Sequence, residues 1–125
     1  MSAVTCGVDL GSANVKVILV DERARAVWTK AVPTPRVPDD SGVATDVLRL
    51  VAMIEEMIIE GWRTHGRSLP PQAIAVVGVG EDGVGVRADL TPLGVALLWF
   101  DERAARQASD LQRNSRYAAQ GGTRH

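Results

Sequence analysis

Apolar residues take every second position at the start of the chain. Val4, Cys6, Val8 and Leu10 alternate with Thr5, Gly7 and Asp9, a period of two that predicts a pleated strand with one covered face. Gly11-Ser12-Ala13-Asn14 breaks the pattern with residues suited to a tight turn. Val15 to Val20 follows, β-branched or apolar except for Lys16, and such a strand is expected between two layers. Asp21 to Arg25 reads as a second polar turn and Ala26 to Val32 as a third strand, completing a meander. Pro33, Pro35, Pro38 and Asp39-Asp40-Ser41-Gly42 then form a connection that is neither helix nor central strand.

The period then changes. Val47, Val51, Ile54, Ile58 and Trp62 recur at intervals of three and four, with Arg49, Glu56, Glu60 and Arg63 on the other side. This predicts an amphipathic helix with Thr45 or Asp46 as N-cap and Gly66 as C-cap residue. Beyond Pro70-Pro71, the run Ala73 to Val79 reads as a short buried strand. Strand, helix, strand suggests a right-handed crossover, so this strand is expected parallel to an earlier one. Val84–Arg87 and Val95–Leu98 suggest a hairpin around Asp89 to Gly94, and Glu102 to Arg113 a helix with a weak stripe of Ala104, Ala108 and Leu111. The last residues, 114–125, are polar and expected to fray.

Composition narrows the function classes. With 14 basic and 15 acidic side chains in 125 residues, the chain lacks the basic face of a nucleic-acid binder. At 46% apolar residues it is not a disordered chain. No apolar run approaches the roughly 20 residues that span a bilayer, so no membrane association is expected. A single cysteine, Cys6, makes no internal disulfide, and two distant histidines make no metal cluster. The expectation is a soluble, cytoplasmic α/β domain.

Two stretches carry candidate chemistry. If Leu10 pairs with Val15 across the first turn, Asp9 and Lys16 stand opposite on one face, about 5 Å apart at Cβ. The plain reading is a cross-strand ion pair worth a few tenths of a kcal/mol. The functional reading is a phosphate cradle. Gly11, Ser12 and Ala13 would leave successive backbone N–H groups facing an anion, Ser12 adds a hydroxyl, Asp9 can hold a hydrated Mg²⁺ and Lys16 supplies a point charge. The chain has two lysines against twelve arginines, and one of the two sits here.

The stretch Gly7-Val-Asp9-Leu-Gly11-Ser12-Ala-Asn-Val-Lys16-Val-Ile-Leu-Val-Asp21 resembles the opening of the FGGY family of carbohydrate kinases, members of the actin/hexokinase/ribonuclease-H-like superfamily. The resemblance implies a ribonuclease-H-like (actin-like ATPase) mixed sheet with flanking helices. It implies Asp9 at the Mg²⁺ site and Gly11, Ser12 and Lys16 along the phosphates of ATP. Ala13 departs from the many members that carry another hydroxyl there, which removes a side-chain donor but leaves its backbone N–H.

The second stretch begins with Gly78-x-Gly80-x-x-Gly83, which matches the dinucleotide fingerprint letter for letter. That reading fails, since the fingerprint needs a helix starting there and Val84-Gly85-Val86 continues extended, while Glu81 and Asp82 would repel a diphosphate. Adjacent carboxylates at a strand end instead suit vicinal hydroxyls, although solvated turn residues are the plainer account. Trp99-Phe100-Asp101-Glu102-Arg103 adds an indole beside an acid and a guanidinium, which can stack on and hydrogen-bond a sugar. The plainer account is a core tryptophan followed by a helix N-terminus with Asp101 as N-cap.

Ala73 to Glu81 followed by Leu98-Trp99-Phe-Asp101-Glu-Arg103 again resembles the FGGY stretch ending in Trp-x-Asp-x-Arg. The resemblance runs from Ala3 to Ala108. It implies that Glu81 and Trp99 line a sugar or polyol pocket, with Asp82, Asp101 and Arg103 near it. It further implies that the catalytic base, an aspartate, lies beyond residue 125, in company with the adenosine pocket of a second domain. On this reading residues 1–113 form an incomplete FGGY N-terminal domain and 114–125 a polar, disordered tail. The expected function is the N-terminal part of an ATP-dependent sugar or polyol kinase, inactive as this isolated chain. Its partner is then a complementary C-terminal kinase portion, or it self-associates through uncovered apolar surface. The alternatives are a non-catalytic carbohydrate- or partner-binding module on the same fold, and an actin-like or acetate-kinase-like protein, against which the Trp-x-Asp-x-Arg block argues.

Overall fold

A computed structural model describes residues 3–40, 42–65 and 70–113. Strands β1 (Val4–Leu10), β2 (Asn14–Asp21) and β3 (Ala26–Pro33) form the expected antiparallel meander. Strand β6 (Ile74–Gly78) joins β1 in parallel, so the sheet order is β3-β2-β1-β6. Between them lie a two-stranded hairpin, β4 (Arg36–Asp39) with β5 (Gly42–Thr45), and helix α1 (Val47–Thr64). A short 3-10 turn at Glu102–Ala104 leads into helix α2 (Ala105–Gln112).

The alternation in β1 sorts side chains as expected. Strand β2, expected between two layers, is instead buried on one face only, with Lys16 exposed and Ile18 and Val20 half-buried on the other. Val4, Cys6 and Val8 of β1 and Val15, Val17 and Leu19 of β2 are buried on one face, under α1. Burial pushes the Cys6 thiol up from its ordinary pKa, because an apolar setting disfavours the thiolate. Helix α1 starts at Asp46, whose Oδ1 accepts the Arg49 amide at 3.0 Å, and ends at His65. Gly66, the expected C-cap residue, lies outside the described residues.

The buried stripe of α1 is rotated from the one the spacing suggested. Met57 and Gly61 are its buried residues, flanked by Met53, Ile54 and Ile58, whereas Val51 is 48% exposed. Apolar residues occur on two sides of this helix, and pattern alone does not rank the two stripes. Packing does, because Gly61 seats the Trp28 indole of β3 so closely that a Cβ there would lie 2.6 Å from its ring.

Three further expectations are corrected. Strand β6 is not buried, with Val76 and Val77 each 64% exposed. It is an edge strand, and α1 packs over β2 and β3 instead. The segment 84–98 forms no regular hairpin but isolated bridges, Gly83 with Leu97 and Val86 with Pro92. The prolines of 33–42 do not prevent pairing, since Pro38 pairs with Val43 in the separate β4–β5 ribbon, where an outer strand tolerates a missing N–H. Among the described residues no helix is long and apolar enough to cross a membrane.

Candidate functional site

The first turn is short because its glycine permits it. The Gly11 amide donates to the Asn14 carbonyl at 3.0 Å, and a Cβ at Gly11 would lie 2.6 Å from that oxygen. Gly11 therefore closes the turn with its own N–H, and the expectation that this amide faces an anion is corrected. The amides of Ser12 and Ala13 have no acceptor among the described residues, and both residues are exposed.

On either side of the turn, Asp9 pairs directly with Lys16 in the β1–β2 register. Paired residues of an antiparallel ladder share a face, so both side chains rise from the face opposite the core, and both are exposed. No ion pair joins them among the described residues, so the plain cross-strand salt bridge is not formed. A shallow cavity of about 220 Å³ beside them is bordered by Gly7, Ile18, Ala75 and Val77. Among the described residues no cluster of three or more His, Cys, Asp or Glu could hold a metal ion by itself.

The carbonyls of the turn are all taken from one side. Thr34 Oγ1 donates to the Gly11 carbonyl at 2.8 Å and the Thr34 amide to the Ala13 carbonyl at 3.0 Å. The Arg36 guanidinium donates to the Ser12 carbonyl and to Thr45 Oγ1. Neither Thr34 nor Arg36 stands out in the sequence, since Thr34-Pro35-Arg36 reads as proline-rich connection.

The second stretch is brought to the same end of the sheet. Leu10 and Gly78 are register partners, and the Val79 amide donates to the Leu10 carbonyl at 2.9 Å. From Gly83 to Leu97 the chain forms isolated bridges and no helix, as the rejection of the dinucleotide reading requires. Glu81 sits at φ 70°, a left-handed conformation that non-glycine residues adopt at a cost of about 1–2 kcal/mol. Asp82 Oδ1 accepts the Trp99 amide at 2.7 Å, fixing the backbone that carries the indole. The indole is 51% exposed and meets Phe100 edge to face at 5.4 Å. It is thus an outward-facing ring and not a core tryptophan.

Asp101 caps the 3-10 turn by accepting the Arg103 amide at 2.9 Å, and it also accepts Arg103 Nε and Nη2, both at 2.8 Å. Arg103 Nη2 reaches Asp39 of β4 as well. The hydrogen bonds from the Arg103 side chain hold both carboxyls below the usual carboxylate range, and the two carboxylates raise Arg103 further. With its side chain only 8% exposed, Asp101 serves chiefly to orient Arg103. Asp39, in a stretch that reads as a polar turn, is a site neighbour that sequence reasoning missed. The ribbon makes one more contact here, a pair of 3.0 Å hydrogen bonds between Thr45 and Ala96.

The sequence and the fold have counterparts in known proteins. The N-terminal domain profile of the FGGY family of carbohydrate kinases matches residues 4–121. The chain belongs to the FGGY family. The match continues past Ala108, beyond the last residue of the sequence resemblance. Among curated proteins, the erythritol kinase of Brucella abortus (strain 2308) is 32% identical over 124 residues, covering 92% of this chain and 23% of that protein. The xylulose kinase of Rhodospirillum rubrum shares the fold with a TM-score of 0.80 at 21% identity, over 93% of this chain and 24% of that one. The glycerol kinase of Plasmodium falciparum, solved with ADP, has a TM-score of 0.78 at 17% identity, over 90% and 23%. The chain thus spans about a quarter of the length of these FGGY relatives. Its mixed sheet is the N-terminal part of the actin-like ATPase fold that they share.

Proposed function

We propose that this chain forms one wall of an ATP-dependent sugar or polyol kinase cleft. The phosphates of ATP lie along the Ser12 and Ala13 amides, the Ser12 hydroxyl and Lys16, with Gly11 shaping the turn. Trp99 stacks on the acceptor substrate, Arg103 and Glu81 bond its hydroxyls, and Asp82 and Asp101 set Trp99 and Arg103. The observation that carries this reading is the pairing of exposed Asp9 with exposed Lys16 beside two amides that have no acceptor among the described residues. A cross-strand pair that forms no ion pair leaves the lysine for a terminal phosphate and the carboxylate for a cation.

The donor set fits Mg²⁺. The ion keeps several waters and takes one or two carboxylates plus phosphate oxygens, and Asp9 supplies one exposed carboxylate next to the phosphate turn. Bound there, Mg²⁺ would neutralise charge on the transferring phosphoryl group. Phosphoryl transfer also needs the acceptor hydroxyl enclosed and deprotonated. The base and the adenosine pocket belong to a complementary C-terminal kinase portion, which on this reading also covers the bare β6. Residues 1–113 are the N-terminal domain portion of such an enzyme and 114–125 its polar extension, acting in the cytoplasm.

Calorimetric titration of the chain with Mg·ATP tests the phosphate half. Lys16→Met is expected to weaken binding at least tenfold, and unchanged affinity would remove the reading's basis. A coupled ADP-release assay with erythritol, xylulose and glycerol is expected to show no turnover above the blank for this chain alone. Robust turnover would refute the incomplete-cleft reading.

A further inference from the structure

The contacts behind the first turn have a consequence fixed by peptide geometry. In a trans peptide the C=O of one residue and the N–H of the next point in opposite directions. The carbonyl of Gly11 is held by the Thr34 hydroxyl, so the Ser12 N–H points away from Thr34. The carbonyl of Ser12 is held by Arg36, so the Ala13 N–H points away from Arg36. Neither of these two N–H groups has an acceptor among the described residues. We propose that Thr34 and Arg36 are the positioning residues of the phosphate turn, aiming the Ser12 and Ala13 amides outward by pulling on the carbonyls behind them. The proposal rests on the kinase reading for its ligand but not for its geometry.

The pulling element is itself anchored. Arg36 and Thr45 are cross-strand partners in the β4–β5 ribbon, Thr45 is buried, and the same guanidinium spans the Thr45 hydroxyl and the Ser12 carbonyl. A planar fork with fixed donor directions suits two acceptors at once, where a lysine ammonium is a point donor on a flexible stem. At the same end Thr45 backs Ala96, and at its other end the ribbon holds Arg103 through Asp39. One ribbon of two four-residue strands therefore stands behind both halves of the site, and a disturbance at Asp39 reaches the turn through Arg36.

Backbone ¹⁵N relaxation and chemical shifts of the full 125-residue chain test this without any ligand. In the wild type, Ser12 and Ala13 are expected near the rigid-backbone order parameter of about 0.85, falling below about 0.6 in Arg36→Met. Thr34→Val is expected to mobilise Ser12 more than Ala13, and Arg36→Lys to restore order in part. Val17 and Leu19, in the core, should stay unchanged throughout, which separates lost positioning from general loosening. In Asp39→Asn the Ser12 amide shift should move although Asp39 does not touch the turn. Order parameters at Ser12 and Ala13 within error of wild type in both Arg36→Met and Arg36→Lys would overturn the proposal, as would loosening of Val17 and Leu19 to the same degree. An unmoved Ser12 shift in Asp39→Asn would overturn the shared ribbon.

Titration with Mg·ATP then keeps the two readings apart. A mobile turn in Arg36→Met together with no Mg·ATP binding by the wild type leaves the positioning intact and sinks the kinase reading. Wild-type Mg·ATP affinity in Arg36→Met sinks the positioning and leaves the kinase reading standing. Both readings together predict at least a tenfold loss of affinity in Arg36→Met.

Discussion

Residues 4–64 and residues 74–112 meet at one end of the sheet but are held by different forces. Among the described residues, every buried apolar side chain except Leu98 lies between Val4 and Met57. The later stretch has an exposed strand, isolated bridges and a helix with no buried residue, and its site residues are tied by Asp82 to the Trp99 amide and by Asp39 and Asp101 to Arg103. The first turn therefore stands on a packed base and the Trp99–Arg103 stretch on a hydrogen-bonded frame. Apolar packing carries no titratable group, whereas ionic contacts respond to pH and are screened by salt, so the two parts should respond differently to acid.

The largest expected effect comes from emptying the base. Met57→Ala removes a buried side chain from the cluster of Cys6, Val8, Val17 and Leu19 and should cost about 2–5 kcal/mol. Denaturant unfolding measures it, and hydrogen exchange should show β1 and β2 losing protection. A loss confined to residues 74–112 would reverse the assignment of which half carries the stability.

A smaller effect, centred on Arg103, is expected from acid. The folded-state pKa values of Asp39 and Asp101 lie below their unfolded values, first through hydrogen bonds from the Arg103 side chain. A depressed carboxylate contributes stability that is complete above its unfolded pKa, about 3.9, and is lost as pH falls through the folded value. Lowering the pH from about 6 through about 3.9 and below should therefore move the Arg103 Nε and Trp99 indole resonances while the Met57 methyl signal stays in place. Simultaneous movement of all three would show that the halves unfold as one.

The smallest effect tests the frame of the base itself. Asp21 Oδ1 accepts the Arg23 and Arg25 amides, both at 2.9 Å, and the turn holds Ala24 at φ 58°. Ala24→Gly relieves that left-handed conformation and should raise stability by up to about 1 kcal/mol. No gain in the thermal midpoint would mean that the turn tolerates alanine without strain.

How much of this was legible in the residues differs between the same halves. Strict alternation in β1 identifies its covered face, and pairing with β1 then fixes which face of the mostly apolar β2 is buried, because only one register buries Val8, Val17 and Leu19 together. It also places Asp9 opposite Lys16, so the chemistry of the first turn follows from local pairing. The rotated stripe of α1 was not legible, since Val51 and Met57 are both apolar and only the Trp28 ring over Gly61 decides between them. The exposure of β6 was hidden for a similar reason. Ile-Ala-Val-Val is apolar wherever it sits, and its neighbours decide whether it is covered.

What the sequence by itself determined is the set of local elements, the turn chemistry at Gly11 and Asp21, and two motif stretches specific enough to assign the FGGY family. Those depend on side-chain size, backbone freedom and spacing over a few residues, all of which are written in order along the chain. Only the tertiary structure decided that Thr34, Arg36 and Asp39 stand behind the two motifs. Each does so through a hydrogen bond between groups whose distance in space is set by how the sheet, the ribbon and the bridges pack, and no spacing in the chain encodes it.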